Sequence, residues 1–389
     1  GALPREEAER GKREAIPTGR RDMPRLAAHA AEEARAKERS AGGGRNPLRL
    51  TVDAALQDRL EDYAREKAAT LPIPQSMAIL VADHRTGEIL ASIGSPDLLD
   101  TTRDGHVDLT AASRSPGSTL KPLIYGLAFE RGVAHPESLL DDRPRSFAGY
   151  TPGNFDHLFE GTLTARRALQ LSRNLPAVEL LAAVGPARLV ERMRRAGAEP
   201  ELGNRSLPGL AIGLGGVGLT LHDLVQLYAG LANGGVAQPL RIDADAARGE
   251  GGRILSAQAS WYVTSILAGA PGTVKASPGE IAYKTGTSFG YRDAWTLAYD
   301  GRHVVGVWLG RPDGAPVPGL VGQDTAVPVM RDVFARIGPA TPLAGPPPGI
   351  LADVSRLPPA MRRIAPGGPE ARADAPEIVF PPRDTRVEL

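Results

Sequence analysis

Three stretches in the last third of the chain, Ile281–Thr285, Ala294–Tyr299 and His303–Leu309, read with a period of two and are separated by tight turns. Asp300-Gly301 is a hairpin signal between the second and third. Connections this short force neighbouring strands to run antiparallel. A second hairpin lies far upstream, where Met77–Asp83 and Glu88–Ile93 flank the turn His84-Arg85-Thr86-Gly87. Most of the sequence between the two sets is helical in pattern. The expected fold is therefore α/β of the α+β kind, an antiparallel sheet assembled from both ends of the chain and flanked by helices.

The helical pattern can be followed in order. Leu48–Val52 alternates and predicts a strand, after which Asp53 caps a helix carrying Leu56, Leu60 and Tyr63 on one face. A further helix begins near Ser118, with Leu120, Leu123, Ile124, Leu127 and Ala128 as its stripe and Gly132 as its stop. Leu163–Leu171 and Ala177–Ala182 are two more. Pro176 disfavours helix at Leu175, which assigns Ser172 and Asn174 to a turn between them. Thr220 is positioned to cap Leu221–Leu231, and residues 254–268 form a helix with Trp261 on its apolar side.

Composition removes several function classes. Net charge is +1 in 389 residues, so bulk electrostatics give no argument for nucleic acid. Cysteine is absent, which excludes a thiolate nucleophile and a Cys-ligated metal. The seven histidines lack metal-ligand spacing, and no metal or cofactor is expected. No run of eighteen apolar residues is present to span a membrane.

Three short patterns each occur once, in the order Ser118-x-x-Lys121, Ser172-x-Asn174 and Lys284-Thr285-Gly286-Thr287. Ser and Lys three apart on a helix share a face. Of 46 basic residues only six are lysines, so this chain places arginine where charge alone is wanted. Arginine keeps its proton in a protein, whereas a desolvated lysine can release one. Without a His–Asp pair, Lys121 is the candidate base for Ser118, and Lys284 a second cation able to lower its pKa. Ser172 is a candidate proton relay and Asn174 a candidate amide binder. Gly286 lets a ligand approach the strand, the Thr285 and Thr287 hydroxyls can hold a carboxylate, and the N–H groups of Ser118 and Thr287 can form an oxyanion hole.

These residues resemble the transpeptidase domain of class A, bifunctional penicillin-binding proteins, in particular the 1C type. The resemblance extends to Thr51–Gln57, Ser115–Gly126, Gly149–Phe155, Gly213–Gly235 and Lys284–Trp295, and covers roughly residues 48–337. It implies an antiparallel sheet flanked by helices with an all-helical lobe, the penicillin-binding transpeptidase and serine β-lactamase-like fold. It also implies Ser118, Lys121, Ser172 and Lys284 as catalytic residues and Asn174, Thr285, Gly286 and Thr287 as substrate-binding ones. The implied reaction is D,D-transpeptidation of D-Ala–D-Ala stem peptides in peptidoglycan, with covalent trapping by β-lactam antibiotics. The implied location is the periplasmic face of the bacterial inner membrane, with other cell-wall synthesis proteins as further partners.

The same resemblance divides the chain. Residues 1–46 read as a linker and the tail of a glycosyltransferase domain, or equally as a disordered leader; residues 47–338 are the transpeptidase domain. A proline-rich linker follows over 339–377, and 378–389 resemble the start of a C-terminal domain. The glycosyltransferase domain and a membrane anchor lie outside this chain. Two rivals remain. A class A β-lactamase would use a deacylating glutamate, and Glu199-Pro200-Glu201-Leu202-Gly203-Asn204 resembles that loop with Gly203 inserted. A non-catalytic β-lactam-binding sensor or an assembly scaffold on this fold would keep the same serine and lysines.

Overall fold

A computed structural model describes residues 26–40, 42–44, 47–147, 149–203, 207–270, 281–351 and 354–363. In chain order the main elements are α1 (Ala28–Ser40), α2 (Ala54–Ala69), β1 (Ser76–Asp83), β2 (Ile89–Ile93), α3 (Lys121–Glu130), β3 (Leu139–Asp142), β4 (Gly161–Thr164), α4 (Ala165–Gln170) and α5 (Asn174–Val184). They continue with α6 (Pro186–Arg195), α7 (Leu221–Ala232), β5 (Val236–Ala237), β6 (Gly252–Arg253), α8 (Ala257–Ala268), β7 (Ala282–Thr287), β8 (Asp293–Tyr299), β9 (His303–Gly310) and α9 (Gly322–Ile337).

The five-stranded antiparallel sheet has the order β2-β1-β9-β8-β7, so β1 and β9 join the two ends of the sequence, with Ile79 opposite Val307. Alternation along β1 sorts its side chains. Met77, Ile79 and Val81 meet α2 and α9 through Leu56, Leu60, Met330 and Val333. Ala78, Leu80 and Ala82 face the other core, with Leu221, Leu224 and Val225 of α7. Both faces are thus covered and every residue of β1 is buried. Asp53 caps α2 by accepting the Leu56 N–H at 2.9 Å, and Thr220 with Asp223 forms a capping box at α7.

The helix α3 is apolar all round, and every residue from Lys121 to Phe129 is buried. It packs against α5 and α8 beyond the sheet. That position carries Lys121, its first residue, into the interior.

Four expectations are corrected. Leu48–Val52 forms no strand; its one bridge is Leu50 to Asp243, and its apolar residues pack on the core edge without a ladder. Trp261 is half-buried, and Val263, Ile266 and Leu267 supply the buried side of α8. Asn174 belongs to α5, where Pro176 is tolerated because first-turn N–H groups have no intrahelical acceptor. Ser118 lies in a 3₁₀ turn, Gly117–Leu120, that precedes α3. Within 1–46, α1 buries Ala30 and Ala34 in the main core. Within 339–377, Leu351 donates to the Tyr262 hydroxyl at 2.7 Å and accepts from His135 Nε2 at 2.9 Å. The expected strand at 378–389 lies outside the described residues.

Candidate active site

The turn bearing Ser118 is held from three sides. Trp295 Nε1 on β8 donates to Ser115 O at 2.9 Å, the Tyr228 hydroxyl on α7 donates to Thr119 O at 2.7 Å, and Ser115 Oγ donates to Gly215 O at 2.8 Å. Gly117 has φ +53°, and a Cβ there would lie 2.4 Å from Thr287 O. Gly286 faces the same turn: a Cβ would lie 2.6 Å from Thr119 Cγ2 and 2.7 Å from Pro116 O. Two glycines therefore bring the Ser118 turn and the end of β7 into direct contact.

Lys121 begins α3 one turn beyond Ser118. Its ammonium donates to Asn174 Oδ1 at 2.6 Å, to Ser172 O, and at 3.3 Å to Ser172 Oγ. From β7, Lys284 Nζ donates to the same Ser172 Oγ at 2.8 Å and to Thr285 O at 2.7 Å. One serine hydroxyl thus lies between two buried lysines. Burial, then the charge of Lys284, holds Lys121 well below the usual lysine range, and burial brings Lys284 down to about 7. Ser172 has φ +58°, a left-handed conformation that costs a serine about 1 kcal/mol or more.

Ser118, Ser172, Asn174, Thr285, Gly286 and Thr287 line a cleft of about 810 Å³. Its opposite wall is the β3–β4 connection, Tyr150–His157, and its rim carries Phe289 and Tyr291. Phe155 and Tyr291 meet edge-on across it at 5.5 Å. The eight residues singled out in the sequence thus surround one cleft, the two lysines beneath its floor. The Thr287 hydroxyl already accepts from Gly322 N at 3.1 Å, leaving its proton to donate.

Several residues at the site were not singled out. Arg173, between Ser172 and Asn174, pairs with Asp156 at 2.9 Å, Glu160 at 2.8 Å and the buried Asp142 at 3.7 Å. Asn154 bonds both Asp142 and the Asn174 backbone. The available signal was the Gly149–Phe155 resemblance, which contains Asn154. The β-lactamase-like loop is elsewhere: Glu201 accepts from Ser113 Oγ at 2.7 Å, Glu199 N donates to Asp223, and neither glutamate lines the cleft. Asn204 lies outside the described residues. His157 lines the cleft wall, and Asp223 serves as a cap.

A sheet built from both chain ends, a buried serine–lysine floor and a cleft between them define a serine acyltransferase-like site. The chain belongs to the penicillin-binding protein transpeptidase domain family, whose model matches residues 77–310. It is 40% identical over 337 residues to penicillin-binding protein 1C of Escherichia coli K12, an alignment spanning 86% of this chain and 43% of that protein. Penicillin-binding protein 1B of Vibrio cholerae is 29% identical over 310 residues, 72% of this chain and 38% of that one. The chain therefore spans less than half the length of these relatives. Among solved structures, PonA1 of Mycobacterium tuberculosis in complex with penicillin V superposes with a TM-score of 0.69 at 20% identity, over 83% of this chain and 94% of that one. Penicillin-binding protein 1A of Haemophilus influenzae gives 0.70 at 16% identity, over 89% and 75%. Both share the fold.

Proposed function

We propose that residues 47–338 are a peptidoglycan D,D-transpeptidase domain acting through a Ser118 acyl-enzyme. The observation that carries this reading is the Ser172 hydroxyl held between Lys121 and Lys284 beside the Ser118 turn. A neutral lysine has two N–H donors and one lone pair. Asn174 Oδ1 and Ser172 O use the two donors of Lys121, which leaves the lone pair for the Ser118 proton. Ser118 Oγ attacks the carbonyl carbon of the penultimate D-Ala, and the N–H groups of Ser118 and Thr287 receive the oxyanion. The proton passes from Lys121 through the Ser172 hydroxyl to the nitrogen of the leaving D-Ala as the C–N bond breaks. An amine of a neighbouring stem then takes the acyl group from Ser118. Lys284, Thr285 and Thr287 hold the terminal carboxylate, Asn174 the stem-peptide amide, and Gly286 keeps the strand open to it.

A β-lactam enters the same cycle as far as the acyl-enzyme, with its ring C–N bond opened and the amine still attached. Among the described residues no glutamate lines the cleft to activate water, and the adduct is expected to be long-lived. Residues 339–377 are read as a linker and 378–389 as the start of a further domain, with residues 1–46 leading from a glycosyltransferase domain. The reading places this domain at the periplasmic face of the inner membrane, held by an anchor outside this chain; among the described residues no helix is long and apolar enough to cross a membrane. Other cell-wall synthesis proteins are its proposed partners, and the domain needs no metal, cofactor or nucleic acid.

The test is incubation with a D-Ala–D-Ala stem peptide and a free D-amino acid. Release of D-Ala together with the exchanged peptide is expected. Acylation without any release of D-Ala would instead favour a sensor.

A further inference from the structure

The cleft wall and the catalytic floor are joined by one polar chain. Asp142, the last residue of β3, is fully buried, and both its oxygens accept from Asn154 Nδ2, at 2.8 and 3.0 Å. It also accepts the Glu160 N–H at 3.0 Å. Fixed in this way, Asn154 presents Oδ1 to the backbone N–H of Asn174 at 2.8 Å. The Asn174 side chain has its orientation set at both ends. Its Nδ2 donates to Gly153 O at 2.6 Å, and its Oδ1 accepts from Lys121 at 2.6 Å. The Gly153 carbonyl only accepts, so reversing the amide would set its oxygen against that carbonyl and lose the bond. The route from Asp142 to Lys121 therefore runs through Asn154 and Asn174 without a gap, and Arg173 closes it from the side.

Resting on the transpeptidase reading above, we propose that Asn154 and Asp142 are positioning residues for the acylation step, acting on Lys121 through Asn174. Asn154 fixes the first turn of α5, and so the acceptor that orients the Lys121 amine. Asp142 fixes Asn154, and its negative charge is the one opposing Lys284 and Arg173 at the buried amine. Beyond these, Tyr125 on α3 itself lies next to Asp142 and Glu179. Loss of either residue misdirects the base and removes a contact or charge that favours its protonated form. Both changes lower the pH at which the amine loses its proton.

The test measures acylation by a fluorescent penicillin as a function of pH for wild type, Asn154→Ala and the near-isosteric Asp142→Asn, with thermal melts alongside. The expected result is a rate lowered about tenfold to a hundredfold, with the acid-side midpoint moved down by about half a pH unit or more. The midpoint is read from whatever fraction acylates, so partial loss of folded protein does not mask it. If Asn154→Ala does not fold, Asp142→Asn decides. Unchanged midpoints in the folded variants, with rates that merely track the folded fraction, would overturn the positioning role and leave the transpeptidase reading intact. A wild-type chain that forms no adduct would overturn both.

Discussion

At the scale of single residues, the site depends on taking two lysines out of water. Their pKa values are coupled, because one hydroxyl links them. Burial and the charge of Lys284 hold Lys121 well below the usual lysine range, and Lys284, at about 7, carries part of its charge near neutral pH. Acylation should therefore rise with pH through the neutral range and fall on the acid side, measurable as rate constants between about pH 5 and 9. Lys121→Ala should lower the rate by about 10²–10⁴-fold. The linkage to stability has the opposite sense from a paired lysine. The unfolded chain binds more protons than the native one between about pH 7 and the ordinary lysine range, so stability rises with pH across that window. Lys284→Met should reduce that slope, leaving the part due to Lys121, and raise the melting temperature while it removes acylation. The serines and lysines were legible in sequence because each belongs to a short pattern of fixed spacing. Asp142 and Arg173 were not, because a buried carboxylate and its guanidinium partner have no spacing of their own and meet only after β3 and α5 are packed.

At the scale of elements, the close approach of the Ser118 turn to β7 decides whether an oxyanion hole exists. Gly286→Ala would push a methyl group against Thr119 and Pro116 O. Overpacking of this kind costs about 1–3 kcal/mol. The expected outcome is a folded protein, by circular dichroism, with acylation reduced at least tenfold. The sheet strands and their hairpins could be read from sequence, since period two and tight turns are local signals. The 3₁₀ start before α3 and the early start of α5 could not. Proline at Pro122 and Pro176 signals a boundary locally, yet both lie where a helix's first turn requires no N–H donor. Leu48–Val52 has strand alternation but no partner beyond one bridge, and partner choice is not a local property.

At the scale of the whole molecule, the proline-rich segment after α9 lies against the domain it follows. Thr341 N donates to Asp300 Oδ2 at 2.9 Å, Gly301 N donates to Thr341 O at 2.8 Å, and Gln258 Nε2 donates to Pro348 O at 3.0 Å. Truncation after residue 338 should lower the melting temperature by a few degrees and leave acylation unchanged, since none of these contacts reaches the cleft. Composition marked this segment as extended and was silent about its docking, because hydrogen bonds from an irregular backbone leave no periodic trace. Ser118 is proposed as the nucleophile of a slowly deacylating enzyme. Intact mass after incubation with benzylpenicillin, followed over time beside Ser118→Ala, decides the point. A single adduct that persists for the wild type and is absent from the variant is expected. An adduct that survives in Ser118→Ala, or one that forms and vanishes within minutes, would contradict it.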